Sequence, residues 1–151
     1  RQYYLATMMP YGTEAAERIS RHRAMRAGKG FLTVECPYGL ETLELPQTGG
    51  AVLLECLSNL TANECFADGG TGPAGCTEAI LRGIRRLCRR MAEVVVVTNE
   101  VFSDSTSYTP ETEAYRRCLG ELNCRLAGEA VSVTEVVYGI PLALKREERL
   151  P

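Results

Sequence analysis

His22 is the sole histidine of the 151-residue chain, and it stands in the run Arg18-Ile19-Ser20-Arg21-His22-Arg23-Ala24-Met25-Arg26. On a helix, Arg18 lies one turn before it and Arg26 one turn after, so the three share a face. Arg21 and Arg23 flank it directly. Nearby positive charge disfavours imidazolium and keeps the ring neutral. A neutral imidazole can attack phosphorus while guanidinium groups hold the phosphate oxygens. Composition alone favours the plainer reading, a surface histidine on an arginine-rich helix, so other residues have to decide.

Three further polar clusters end β-prone runs. Thr7 follows Tyr3-Tyr4-Leu5-Ala6, Glu55 follows Ala51-Val52-Leu53-Leu54, and Thr98-Asn99-Glu100 follows Val94 to Val97. In open α/β sheets, ligands bind at the carboxyl ends of strands, where all three clusters would fall. An acidic residue directly after an apolar strand is where nucleotide-binding folds place a carboxylate on the magnesium side. Strands also end in charges for solubility, so placement by itself does not single Glu55 out. No phosphate-gripping GxxxxGK[ST] occurs in these residues. The only lysines are Lys29, in Ala-Gly-Lys-Gly, and Lys145. The glycine-rich stretch Asp68 to Gly75 has no lysine and reads as a flexible connector.

The elements that must position these groups follow from periodicity. Thr13 is placed to cap a helix through about Met25, with Glu14 and Glu17 early and Arg21, Arg23 and Arg26 late, as the macrodipole prefers. Phe31 to Cys36 alternates as a strand, and Leu57 to Phe66 reads as a helix. Thr77 to Met91 carries Ile80, Ile84, Leu87, Cys88 and Met91 at core spacing, with a solvated arginine face opposite. Pro110 suits the first turn of a helix from Glu111 to about Ala127, whose stripe is Tyr115, Leu119, Leu122 and Leu126. Val131 to Tyr138 is a last strand, followed by Gly139-Ile140-Pro141 and a charged tail, Lys145 to Arg149. Strands alternating with helices, two of them apolar on both faces, predict an α/β fold: one domain over residues 1–151, with a largely parallel sheet flanked by helices.

A formal net charge of −2 favours neither nucleic acid nor a membrane surface as partner. No apolar run approaches the ~20 residues needed to span a bilayer. The seven cysteines are odd in number and form no CxxC pair, which reads as reduced buried thiols in the cytoplasm rather than a disulfide framework or zinc site.

The blocks Tyr4-Leu5-Ala6-Thr7, RISRHRAMR, FLTVE, AVLLECLSNL, VVVVTNEV, AYRRCLGELNCRLA and YGIPLALK, in this order, resemble the bifunctional adenosylcobinamide kinase/adenosylcobinamide-phosphate guanylyltransferase family over Tyr4 to Lys145. The resemblance implies a P-loop NTPase-like scaffold with two activities. ATP or GTP phosphorylates adenosylcobinamide, then GTP transfers GMP to that phosphate, with Mg2+ and through a covalent histidine intermediate. By this mapping His22 carries the GMP and Glu55 is the acidic residue at the nucleotide site, a possible Mg2+ ligand. Arg18, Arg23 and Arg26 adjoin the GTP phosphates, and Thr7, Asn99 and Glu100 line the cleft. Family members assemble as homo-oligomers, in trimers.

Two departures are visible. The family opens with a strand, a Walker A loop and a helix before YLAT, which implies roughly 25 residues ahead of Arg1. The chain is therefore read as N-terminally incomplete, with an expected gap in its sheet and an exposed apolar groove. The segment Phe102 to Pro110 is longer than the family's and glycine-free, and no site residue is carried over from it. The alternative is a paralogue without the P-loop and without kinase activity, binding nucleotide or a partner chain.

Overall fold

The computed structural model describes residues 1–146. β1 (Gln2–Ala6), β2 (Phe31–Glu35), β3 (Ala51–Glu55) and β4 (Glu93–Val97) form a four-stranded parallel sheet in the order β2-β1-β3-β4. α1 (Gly12–Arg26) links β1 to β2, α2 (Leu57–Phe66) and α3 (Gly72–Arg90) link β3 to β4, and α4 (Pro110–Glu129) follows β4. This is the α/β class that the element order implies: a largely parallel sheet flanked by helices, as in P-loop NTPases.

Parallel register fixes which side chains share a face. Tyr3, Val52 and Val94 form one row, and Leu5, Val34, Leu54 and Val96 the next. Both rows face α2, α3 and α4, and pack with Leu57, Leu60, Ile80, Ile84, Leu119 and Leu122 into one core. Each such leucine contributes about 1.5–3 kcal/mol by leaving water. The opposite face, with Tyr4, Leu53, Glu55 and Val95, is covered only by α1, every residue of which is half-buried or exposed. Val95 is 46% exposed there, because α1 meets β1, β2 and the end of β3 and leaves β4 bare.

Several expectations need correction. The sheet has no gap, since β3 pairs directly with β4 from Ala51↔Glu93 to Glu55↔Val97; the exposed apolar surface lies on a face of the sheet instead. Thr13 does not cap α1. Tyr11 is the N-cap residue, and Gly12, at φ +76, turns the chain into the first helical position. The stretch Asp68 to Gly75 is no loose connector: Gly72 to Gly75 belong to the first turn of α3, where Pro73 is tolerated because its missing N–H has no helical partner there. The preceding glycines are close-packed, since a Cβ on Gly69 would lie 2.4 Å from the Tyr38 ring and one on Gly70 would lie 2.3 Å from the Glu64 carbonyl oxygen. On α3, Cys88 is exposed, while Leu81 and Gly83 join Ile80, Ile84 and Leu87 inside. The arginine face is also more than solvated: Arg82 pairs with Glu41, Arg85 with Glu129, and Arg86 and Arg90 with Glu44.

Val131 to Tyr138 is not the last strand, since part of the expected tail forms another. β5 (Ser132–Val137) and β6 (Ile140–Arg146) form a separate antiparallel hairpin, because Tyr138 and Gly139 both take positive φ and make a two-residue turn. The remainder of the expected charged tail, residues 147–149, lies outside the described residues.

Candidate functional site

Ala15, Ile19, His22 and Arg26 are the half-buried residues of α1, spaced to form the single stripe that faces the sheet. α1 runs antiparallel to the strands. Arg26 stacks its guanidinium 3.6 Å above the Tyr4 ring in mid-strand, and His22 lies level with Glu55 at the strand's carboxyl end. The four residues from Arg26 back to His22 rise about 6 Å along the helix, close to the roughly 6.6 Å of two strand residues from Tyr4 to Ala6. The helical and strand repeats thus place the two contacts side by side.

At the centre, Nδ1 of His22 is 3.6 Å from Oε1 of Glu55, just beyond hydrogen-bonding length. The Tyr4 hydroxyl donates to Oε2 of the same carboxylate at 2.7 Å. Burial first, and then this hydrogen bond, push the Tyr4 phenol well above its ordinary pKa, so it remains a donor at any physiological pH. Arg26 forms no ion pair among the described residues, and its buried Nε lacks a hydrogen-bond partner there. Arg23, Arg26, Gly28, Gly30, Phe31 and Thr33 line an open depression of about 490 Å³ beside it.

The other nominated residues fall into separate positions. Thr7 is buried, and its hydroxyl both donates to the Cys56 carbonyl at 2.8 Å and accepts from the Cys56 N–H at 2.7 Å. It fixes the turn that leaves β3. Asn99 donates to the Ser58 hydroxyl at 2.9 Å and so ties the end of β4 to α2. Glu100 turns away into its own loop, accepting from the Ser103 hydroxyl and the Phe102 N–H, which lower its pKa in that order of weight. Arg23 is bound to Glu35 at 2.5 Å. Arg18 is exposed, and it does not share the sheet-facing stripe with His22 and Arg26. The structure therefore brings together His22, Glu55 and Arg26, sets Thr7 and Asn99 behind them as fasteners, and leaves Arg18, Arg23 and Glu100 outside the cluster.

Tyr4 and Ser58 are the residues that sequence reasoning missed. Strand alternation was the available signal for Tyr4: once Tyr3 points into the core, Tyr4 must point to the face that carries Glu55. Ser58 had no comparable signal, lying in the first turn of a helix whose neighbours are set only by tertiary contact.

Comparison with known proteins bears on this arrangement. Residues 1–144 match the family model described as cobinamide kinase / cobinamide phosphate guanyltransferase. The chain is 34% identical over 154 aligned residues to the bifunctional adenosylcobalamin biosynthesis protein CobU of Salmonella typhimurium, and 32% identical over the same length to the protein of that name in Escherichia coli. Each alignment covers 94% of this chain and 84% of the relative.

Proposed function

The chain belongs to the cobinamide kinase / cobinamide phosphate guanyltransferase family, and on that premise we propose that it phosphorylates adenosylcobinamide and then transfers GMP to that phosphate through His22. The observation that carries the reading is the approach of the His22 Nδ1 to a Glu55 carboxylate held by Tyr4 at the strand ends.

A carboxylate on the Nδ1 side keeps the proton there and leaves the lone pair of Nε2 as nucleophile. Nε2 attacks the α-phosphorus of GTP. A phosphorus–nitrogen bond forms, the bond to the bridging oxygen breaks, and pyrophosphate leaves. The phosphate oxygen of adenosylcobinamide phosphate then attacks the same phosphorus. The phosphorus–nitrogen bond breaks, His22 is regenerated and adenosylcobinamide-GDP results. Arg26, whose guanidinium pairs with no carboxylate among the described residues, is the first candidate to hold phosphate oxygens. Arg23 reaches them only by leaving Glu35, and Arg18 only from the exposed side of α1. Thr7 and Asn99 act as positioning residues, and Glu100 is the weakest member of the set.

Glu55 fits Mg2+ as a single carboxylate, since this ion usually takes one or two protein carboxylates and completes its shell with water and substrate phosphates. When bound, the ion neutralises charge on the triphosphate oxygens. The kinase half of the proposal, with ATP or GTP as donor, rests on family membership alone. So does assembly into a homo-oligomer, although exposed Val136, Tyr138, Ile140 and Leu144 on the hairpin offer an apolar surface for it.

Incubation of the purified protein with α-labelled GTP should give an acid-labile, base-stable adduct, absent from His22→Ala. Failure to transfer label, or equal labelling of the variant, refutes the assignment.

A further inference from the structure

Cys65 on α2, Cys76 early in α3 and Cys118 on α4 are buried, and their three sulfurs lie within 4.8 Å of one another. They sit on the core side of the sheet, whereas His22 and Glu55 sit on the other, so the proposed transfer chemistry has no use for them. Spacing in the sequence hid the cluster, because each cysteine comes from a different helix.

We propose that these three thiols form a binding site for a soft, thiophilic monovalent cation of the copper(I) class, held by sulfur alone in three-coordinate geometry. Thiolate sulfur selects soft ions. With metal–sulfur bonds of about 2.3 Å, three sulfurs around a trigonal ion lie about 4 Å apart, inside the observed spread. Zinc is a poorer fit because it takes four ligands. Among the described residues, no histidine nitrogen or carboxylate oxygen joins the three sulfurs. The nearest acidic neighbour in sequence, Glu64, already uses one oxygen to accept from the Gly39 N–H and the other to accept from the Thr71 N–H.

The Cys76 and Cys118 thiols donate to the Thr61 and Pro73 carbonyls, at 3.6 and 3.4 Å, so two of the three sulfurs are already oriented within the core. Loading forms up to three copper–sulfur bonds and sends the displaced protons to solvent, with no electron transferred. The bound ion ties α2, α3 and α4 together at one point, so its presence should raise the melting temperature.

The test is anaerobic titration of the reduced protein with Cu(I) in competition with bicinchoninate. The expected result is one equivalent withdrawn from the chelator per chain, with a near-ultraviolet sulfur-to-copper absorption. The Cys88→Ser/Cys124→Ser double variant, which removes the exposed thiols, should retain that equivalent. Cys76→Ser and Cys118→Ser should weaken it by about two orders of magnitude. X-ray absorption of the loaded wild type should show three sulfur neighbours at about 2.3 Å, a readout independent of how the buried variants fold. Failure of the wild type to take copper from the chelator overturns the proposal. So does loss of the equivalent in the double variant, or a coordination shell with fewer than three sulfurs.

Discussion

Replacing Tyr4 by Phe removes one hydroxyl and keeps the ring on which Arg26 stacks. In the wild type that hydroxyl donates to Oε2 of Glu55 at 2.7 Å, and Oε1 of the same carboxylate faces His22. Hydrogen bonds to charged groups are worth about 1.5–3 kcal/mol. One third of the Glu55 side chain is exposed, and solvent screening there reduces the figure to about 1–2 kcal/mol. If the whole of this energy serves to orient the carboxylate against the imidazole, the rate of guanylylation falls by about 5- to 30-fold. The assay is rapid-quench measurement of the labelled histidine adduct at saturating α-labelled GTP. As Tyr4 positions Glu55 and does not itself meet the nucleotide, the rate constant should drop while the GTP concentration for half-saturation stays put. A folded Tyr4→Phe protein that forms the adduct within about twofold of the wild-type rate would show that the hydroxyl does not position Glu55 for catalysis.

Other perturbations probe the frame. Gly83→Ala improves helix propensity yet should destabilise by about 1–3 kcal/mol in urea unfolding, because the new Cβ would lie 2.8 Å from Leu40 Cγ and 2.9 Å from its carbonyl carbon. Glu64→Gln replaces one of the two oxygens that hold the Gly39 and Thr71 N–H groups with an NH2, and should cost about 1–3 kcal/mol; an unchanged urea midpoint would show that these loops are fastened elsewhere. Stability should also fall in alkali: burial raises the Cys36 thiol from 9.0 to about 11, and Tyr4 and Tyr115 are raised as well. The unfolded chain releases these protons first, so urea midpoints should hold below about pH 9 and decline between 9 and 11, with Cys36→Ser making the decline shallower.

What could be read from the residues was whatever depends on local period. AVLL and VVVV declared parallel strands because both are continuous apolar runs, although α1 leaves Val95 of the second exposed, and the stripe Tyr115, Leu119, Leu122 and Leu126 faces the core or its margin. Errors arose where a short-range rule met a tertiary contact. Thr13 satisfies the composition of a cap, but Gly12 sets the helix start by its dihedral angle. Asp68 to Gly75 satisfies the composition of a loose loop, but Tyr38 and Glu64 press on its glycines. The hairpin was half-legible: its first strand is rich in β-branched residues, whereas a Tyr-Gly turn with positive φ at tyrosine is an uncommon choice. At the site, His22 and Glu55 could be nominated from residue type and strand ends, but their proximity depends on how α1 crosses the sheet. The same crossing leaves Arg18 in solvent, one helical turn from His22 but off the stripe that meets the sheet.

On the proposed function the two faces of the sheet divide stability from chemistry, and this division can be tested with one pair of substitutions. Leu54 is fully buried on the core face, so Leu54→Ala should cost about 2–5 kcal/mol from lost transfer energy and the cavity left behind. His22 lies on the other face, 38% exposed at the side chain, on a helix held mainly by the Arg26–Tyr4 stack and the contacts to Glu55 and Glu35. His22→Ala should therefore change the unfolding free energy by no more than about 0.5 kcal/mol, while abolishing the labelled adduct. If His22→Ala instead destabilises the fold as much as Leu54→Ala, the imidazole is there to hold α1 on the sheet, and loss of activity in that variant says nothing about nucleophilic attack.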